Sequence, residues 1–168
     1  EKSMKKTILF VVLQQYADWE AAYISSAITM LGEGQYEIKT VSLSKDYVQS
    51  IGGFKIIPDY DITSVPNDYE ALILIGGMAW RTESAQQVKM LVEDCRKKDK
   101  VLAGICDASA FLGTIGALNE AFHTSNNIND LKQWAGVAYT GEQKYIANQA
   151  VSDKNIITAN GTAPMEFA

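Results

Sequence analysis

Three short, uninterrupted apolar runs constrain the fold of this chain more than any other feature. They are residues 7–13 (Thr-Ile-Leu-Phe-Val-Val-Leu), 71–75 (Ala-Leu-Ile-Leu-Ile) and 101–105 (Val-Leu-Ala-Gly-Ile). Runs of this length that lack polar alternation are typical of strands buried on both faces. Segments with helical spacing of apolar residues lie between them, and alternating strands and helices build a parallel sheet with right-handed crossovers. The sequence therefore predicts an α/β fold with a mostly parallel central sheet and helices on both faces.

Capping signals place two of the helices. Asp18 is expected to cap a helix that runs to about Leu31, because aspartate accepts hydrogen bonds from the free N–H groups of a first turn. Ser84 followed by Gln87 has the spacing of a capping box and predicts the start of a second helix. The remaining elements expected are a strand over 37–43, a hairpin whose short extended pieces are separated by residues 51–54 and which closes near Pro58, a helix over 108–115 and weaker strands over 122–125 and 155–159.

The second of these helices indicates the role of one of the two cysteines. Apolar side chains recur there at positions i, i+3, i+4 and i+7, namely Val88, Leu91, Val92 and Cys95. Such a stripe is the face that a helix buries against a core. Cys95 is therefore expected to be a buried core residue without a chemical role.

The length of the chain fits one domain. The sequence has 168 residues and a mass of 18.4 kDa, enough to bury a core without disulfides, and we place the domain at residues 4–168. Residues 1–3 precede Met4 and are expected to be a remnant of cloning for expression. Pro164 suits the first turn of a helix, and we expect that C-terminal helix to continue beyond Ala168.

Charge and composition exclude several classes of partner. Fifteen basic and twenty acidic residues give a net charge of −5, which argues against binding to nucleic acid or to an anionic membrane. No apolar run approaches the ~20 residues of a membrane span, and no signal-peptide core precedes a cleavage site, so we expect a cytoplasmic protein. Two cysteines without metal-ligand spacing, and no GxGxxG turn, predict no disulfide, metal, nucleotide or flavin.

Chemically suggestive residues follow each of the three apolar runs. They are Asp18 and Glu20 after the first, Gly76 and Gly77 after the second, and Cys106 and Asp107 after the third. The carboxyl ends of parallel strands meet at one edge of a sheet, where ligands and catalytic groups collect. The sequence therefore predicts one site built from these strand ends.

Cys106 lies where a strand is expected to turn sharply into a helix. A thiol on such a turn projects clear of the backbone, and the positive end of the following helix favours the thiolate. The N–H groups of Gly77 and Asp107 are then candidates for an oxyanion hole. Trp19 and Trp80 flank this site and are candidates for a pocket wall, for ordinary core or for a dimer interface. A buried structural thiol at Cys106 is the competing interpretation.

At this point the sequence resembles the ThiJ/PfpI superfamily, which has a class I glutamine amidotransferase-like fold and includes intracellular protease I and Parkinson-associated protein deglycase types. The resemblance covers residues 4–168, and it is closest to a bacterial subgroup named as proteases. Its motifs are Tyr-Ala-Asp-Trp-Glu at 16–20, Ile-Gly-Gly at 75–77, Ala-Gly-Ile-Cys at 103–106, Gly-Ala-Leu-Asn at 116–119, His-Thr-Ser-Asn at 123–126 and the segment 157–167. It implies a flavodoxin-like three-layer sandwich, a reactive Cys106, a Glu20 carboxyl hydrogen-bonded to that cysteine, a C-terminal helix and a homodimer.

The chain departs from the family pattern at two positions. Protease-type members place a histidine directly after the cysteine, where this chain has Asp107, and deglycase-type members have a histidine that aligns with Asn126. An asparagine amide cannot relay a proton near neutral pH. His123, the only histidine, is expected to be a packing or surface residue. A negative Asp107 would also raise the pKa of Cys106 unless its side chain turns outward.

Three kinds of function follow from a reactive Cys106. The resemblance implies a cysteine-dependent hydrolase of the protease or amidase type, in which Glu20 tunes the thiol and the substrate is a small carbonyl compound or a peptide. The same chemistry would allow repair or dismutation of reactive carbonyls such as glyoxals. The alternative class is a redox sensor or stress-response protein in which Cys106 oxidises reversibly. Gly76 and Asn126 complete the set of expected pocket residues.

Overall fold

The sheet at the centre of the molecule has the predicted α/β order. The computed structural model describes residues 4–168, so the expectation for residues 1–3 lies outside it. The strands are β1 (Lys6–Val11), β2 (Tyr36–Ser42), β3 (Val48–Gln49), β4 (Lys55–Ile56), β5 (Tyr60–Asp61), β6 (Ala71–Leu74), β7 (Val101–Ile105), β8 (Ala150–Asp153) and β9 (Ile156–Ala159). The helices are α1 (Asp18–Leu31), α2 (Lys89–Lys97), α3 (Asp107–Thr114), α4 (Ile128–Ala135) and α5 (Pro164–Phe167).

Seven strands form the main sheet in the order β5-β2-β1-β6-β7-β9-β8, and only β8 runs antiparallel to its neighbour. β3 and β4 pair separately as an antiparallel hairpin, in the segment where a hairpin was expected. The strand order turns back at β1, which pairs with β2 on one side and with β6 on the other. In open sheets a crevice opens at such a reversal, outside the carboxyl ends of the strands.

Helices cover both faces of this sheet, which confirms the predicted three-layer sandwich. Along β1 the side chains alternate, so that Leu9 and Val11 enter one core while Ile8 and Phe10 enter the other. α2, α3 and α4 close the first core, and α1 and α5 close the second. Among residues 4–168 no helix combines the length and the apolar character of a membrane span.

The helix boundaries were predicted better than the helix caps. The residue before α1 is Ala17, and no side chain caps this helix. Asp18 instead accepts a hydrogen bond of 2.7 Å from Gly52 N–H, which ties α1 to the β3–β4 turn. The capping box at Ser84 is also wrong, because Glu83–Val88 forms a 3-10 helix that leads into α2 without a side-chain cap. The stripe that includes Cys95 is buried as predicted.

The segment around His123 differs from the prediction. Residues 122–125 were expected to form a strand, but His123 makes only an isolated bridge with Tyr145. The imidazole ring is fully buried, with Nε2 2.6 Å from the Tyr139 hydroxyl and Nδ1 2.7 Å from Ala121 O. These bonds replace a strand ladder, and they make His123 the packing residue that was expected. α4 and β8 were not predicted; the side chain of Asn127 caps α4.

Candidate active site

Cys106 lies on a strained turn between β7 and α3. Its backbone has φ 59° and ψ −132°, a conformation that a residue with a side chain adopts only when its surroundings impose it. Cys106 N–H donates to Ala159 O at 3.0 Å, and Cys106 O accepts from both Ser109 N–H and the Ser109 hydroxyl. The strand-to-helix turn predicted here is therefore present, and three hydrogen bonds hold it.

Two N–H groups favour negative charge on the sulfur of Cys106. The side-chain amide of Asn126 donates to it, with Nδ2 3.1 Å from Sγ, and the N–H of Asp107, at the start of α3, lowers the pKa of the thiol. The amide oxygen of Asn126 accepts from Gly161 N–H at 2.8 Å, which fixes the direction of the amide. Because both N–H groups favour negative charge on sulfur, they support the thiolate.

Gly161 and Gly76 have no side chains, and this makes room for the Cys106 sulfur and the Glu20 carboxyl. A Cβ atom on Gly161 would lie only 2.8 Å from Sγ of Cys106, and a Cβ on Gly76 would lie 2.7 Å from Cβ of Cys106. Both separations are shorter than real side chains tolerate. Trp19 Nε1 donates to Gly161 O at 2.8 Å and so holds the Gly161 loop in place.

The carboxyl group of Glu20 is buried beside the thiol. Glu20 lies in the first turn of α1 and is 0% exposed. Its Oε1 accepts from Gly76 N–H at 2.9 Å, whereas Oε2 has no hydrogen-bond partner of good geometry within the described chain. Burial raises the pKa of Glu20 to about 7, while the N–H of Gly76 and the neighbouring Cys106 thiol oppose that rise. The pKa of Glu20 therefore lies near neutral pH.

The pKa of the Cys106 thiol is also raised, chiefly because the thiol is buried. The hydrogen bond from Asn126 and the N–H of Asp107 lower this pKa, while the negative charges of Glu20 and Asp107 raise it. The protonation state of Glu20 thus changes the pKa of Cys106 and the reverse, so the two groups titrate as a pair. A protonated Glu20 favours the thiolate, and an ionised Glu20 favours the thiol.

The side chain of Asp107 is held in an ion pair by an arginine. Arg81 Nε lies 3.1 Å from Oδ2 of Asp107, and Arg81 Nη2 lies 3.2 Å from Oδ1. This two-point contact takes the carboxylate charge of Asp107 into an ion pair. The Asp107 carboxylate is thus paired with a residue that the sequence analysis did not single out, while its charge still raises the pKa of the thiol.

Of the other residues expected at the site, Asp18 and Trp80 make their contacts elsewhere. Gly77 follows β6, and its N–H donates no hydrogen bond within residues 4–168. Asp18 points to Gly52, away from the thiol. Trp80 does not line the site: it is 1% exposed, stacks on Phe111 and belongs to the core.

Gly161 and Arg81 are the contributors that sequence reasoning missed. Gly161 follows the carboxyl end of β9, which lies next to β7 in the sheet. Its Asn-Gly dipeptide at 160–161 has the same relation to a strand as the glycines at 76–77, and that analogy was the available signal. Arg81 had no comparable signal, since its partners come from two separate helices.

Together, the fold and the site define a class of flavodoxin-like proteins with a cysteine elbow beside a buried glutamate. The chain belongs to the DJ-1/PfpI family, whose profile matches residues 6–168. This confirms the ThiJ/PfpI resemblance. Two relatives in Bacillus subtilis are "Uncharacterized protease YdeA", 40% identical over 98% of this chain and 80% of that protein, and "Uncharacterized protease YoaZ", 33% identical over 97% and 80%.

Solved structures agree with this assignment. The DJ-1 superfamily protein Atu0886 from Agrobacterium tumefaciens has a TM-score of 0.86 and 36% identity, over 96% of this chain and 85% of that one. A thiJ/pfpI family protein from Bacillus anthracis has a TM-score of 0.90 and 30% identity, over 99% of this chain and 81% of that one. The family and the fold are thus established independently of the site chemistry.

Proposed function

We propose that this protein is a cysteine-dependent hydrolase that acts on a small carbonyl or amide substrate, with Cys106 as nucleophile and Glu20 as acid and base. The observation that carries the proposal is the buried Glu20 carboxyl, whose pKa is raised to about 7 beside the thiol. A group with a pKa near the working pH can both accept and return a proton, which is the requirement for general acid–base catalysis. His123 is not available for that role, because Tyr139 and Ala121 occupy both ring nitrogens.

The first half of the reaction forms an acyl-enzyme. Ionised Glu20 takes the proton of the Cys106 thiol, and the thiolate attacks the carbonyl carbon to form the C–S bond. The carbonyl electron pair moves to oxygen, where the N–H groups of Gly77 and Asp107 are the candidate donors. As the oxyanion collapses, the C–N bond breaks and the leaving nitrogen receives the proton from Glu20, which leaves a thioester on Cys106.

The second half releases the product. Glu20 is again ionised after the first half, so it can take a proton from the attacking water, whose oxygen forms a C–O bond with the thioester carbonyl carbon. The C–S bond then breaks to release the carboxylic acid, and Cys106 leaves as a thiolate that recovers its proton from Glu20. One carboxyl therefore performs all four proton transfers, since the amide of Asn126 can only donate a hydrogen bond to the sulfur.

The surroundings of the sulfur favour a small substrate. Gly76, Gly161 and Asn126 all lie against Cys106, and even one methyl group on either glycine would clash there. A reacting carbonyl has to enter between these groups to reach Sγ. This supports small amides, esters or reactive carbonyls such as glyoxals over long peptides.

The test is turnover that depends on Cys106. Wild-type protein is incubated with a p-nitrophenyl ester, a small p-nitroanilide and methylglyoxal, and product is measured together with the intact mass of the protein. We expect a transient adduct and turnover with at least one of these compounds, lost in Cys106→Ser and retained in the control Cys95→Ala. Equal rates in wild type and Cys106→Ser, or no turnover of any compound, would refute the proposal.

Reversible oxidation is the second candidate, and the Asn126 contact favours it. An Nδ2 donor 3.1 Å from Sγ is placed to stabilise an oxidised sulfur as well as a thiolate. Peroxide would transfer one oxygen to the thiolate, giving a sulfenate and water, and a second equivalent would give the sulfinate. A gain of oxygen confined to Cys106 under mild peroxide, without any turnover, would support sensing over hydrolysis.

We also propose that the protein forms a homodimer through the outer face of α1. Four large apolar side chains are exposed on that helix: Trp19 (47%), Tyr23 (46%), Met30 (80%) and Leu31 (79%). Apolar side chains grouped on one exposed helix face are typical of association surfaces. Light scattering should give the mass of a dimer for the wild type and a smaller mass for Met30→Glu; a monomeric wild type would refute the proposal.

A further inference from the structure

We propose that Arg81 is a positioning residue for Cys106: it holds the Asp107 carboxylate in an ion pair, so that this carboxylate opposes the thiolate less. This inference rests on the proposed reactivity of Cys106. It assigns a role to a residue that neither the fold nor the comparisons mark as functional.

Asp107, at the beginning of α3, has two opposite effects on the pKa of the Cys106 thiol. The N–H of Asp107 lowers the pKa of the Cys106 thiol, whereas the negative charge of the Asp107 side chain raises it. The residue after the nucleophile therefore favours the thiolate through its backbone and opposes it through its side chain. A cation paired with the carboxylate weakens the opposing effect and leaves the backbone effect unchanged.

Arg81 is the cation beside Asp107, and its guanidinium contacts three side chains. Arg81 contacts Asp107 through Nε and Nη2, and the same Nη2 lies 2.6 Å from Oδ2 of Asp130 on α4. The guanidinium also stacks over the ring of Trp134, with Cζ 4.5 Å from the ring centre. These contacts fix the orientation of the planar guanidinium, whereas a flexible surface lysine would not be held in one orientation.

The charges that act on the sulfur are both negative. Glu20 from α1 and Asp107 from α3 are the charged groups that act on the Cys106 thiol, and both oppose its ionisation. Glu20 stops opposing ionisation when it is protonated, but Asp107 has only Arg81 and solvent to offset it. Because the side chain of Arg81 is 42% exposed and that of Asp107 is 23% exposed, solvent screens part of this effect.

The experiment measures the pH midpoint for alkylation of Cys106 by iodoacetamide, with modification sites assigned by peptide mass. For Arg81→Gln we expect the midpoint to rise by roughly half a unit to one unit, so that alkylation below the midpoint slows by about 3- to 10-fold. The double variant Arg81→Gln/Asp107→Asn should return the midpoint to the wild-type value or below. Arg96→Gln removes an equal charge from the exposed end of α2 and should leave the midpoint unchanged.

Rescue by Asp107→Asn separates positioning from general structural support, because loss of packing at Arg81 would not be repaired by removing a second charge. An unchanged midpoint in folded Arg81→Gln, or a double variant that stays shifted, would overturn the proposal. If Arg81→Gln does not fold, Arg81→Lys decides, because lysine keeps the charge but loses the two-point contact with Asp107: a raised midpoint supports the proposal and an unchanged one refutes it.

The same measurement keeps this inference distinct from the hydrolase proposal. If the pH midpoint for alkylation of Cys106 shifts in the Arg81 and Asp107 variants as described, yet the wild type turns over no substrate, the hydrolase proposal is refuted and the positioning role is supported. A wild-type Cys106 that is never alkylated in the folded protein would refute both.

Discussion

Glu20→Gln should make the protein more stable, and increasingly so as the pH rises. Glutamine keeps the acceptor oxygen that Gly76 N–H uses, but it cannot ionise. In the wild type, the pKa of Glu20 is raised from its ordinary value of 4.5 to about 7, because the folded chain buries the carboxyl. The folded state therefore binds more protons than the unfolded state between these two values, and the stability of the wild type falls as the pH rises through that window.

The size of the effect follows from the same two pKa values. A rise from 4.5 to about 7 corresponds to about 3 kcal/mol at roughly 1.4 kcal/mol per unit. No discount for solvent screening applies, since the side chain is 0% exposed. The stability difference between Glu20→Gln and wild type should thus grow by about 2 to 3 kcal/mol from pH 5 to pH 8, and flatten above the folded pKa.

Urea unfolding at several pH values across this window is the assay, and only the difference between variant and wild type is interpreted, because other titrating groups cancel in it. Glu120→Gln is the control: it removes a carboxyl from the exposed surface and should change stability by no more than about 0.5 kcal/mol at any pH. A difference for Glu20→Gln that stays constant between pH 5 and pH 8 would refute the burial argument and, with it, the acid–base role.

Two further outcomes follow from the site. In the folded wild type, one thiol should react with alkylating reagents near neutral pH, because burial raises the pKa of Cys95 to about 11; peptide mapping that finds Cys95 modified before unfolding would contradict this. Gly161→Ala should slow alkylation of Cys106 by at least about tenfold, since its Cβ would lie 2.8 Å from Sγ and block approach; an unchanged rate in a folded variant would show that the loop moves freely.

The elements that the sequence predicted well are those whose signal is local. Strands such as β7 (Val101–Ile105) show continuous apolar runs, and the stripe of α2 that includes Cys95 has helical spacing. Burial on both faces and burial of one stripe leave these patterns in any fold that uses them. The strand ends could therefore be placed on one edge of the sheet before any coordinates were known.

The elements that failed depend on partners far away in the chain. Asp18 has the chemistry of a helix cap, but Gly52 competes for its carboxylate from the β3–β4 turn. His123 was placed in a strand because its neighbours are compatible with one, yet its ring bonds to Tyr139 and Ala121 instead. Local propensity cannot rank a cap against a tertiary hydrogen bond of similar strength.

The site shows the same division between what is local and what is not. Cys106 and Gly76 follow predicted strands directly, whereas Asn126 contacts the sulfur through a loop with no regular pattern, and Arg81 acts through Asp107. An amide at position 126 removes one possible proton carrier and leaves a hydrogen-bond donor. The proton chemistry then falls to Glu20, because it is the buried carboxyl whose pKa of about 7 lies near neutrality. The stability profile of Glu20→Gln and the turnover test consequently bear on one question, namely whether a single carboxyl replaces a histidine relay in this protein.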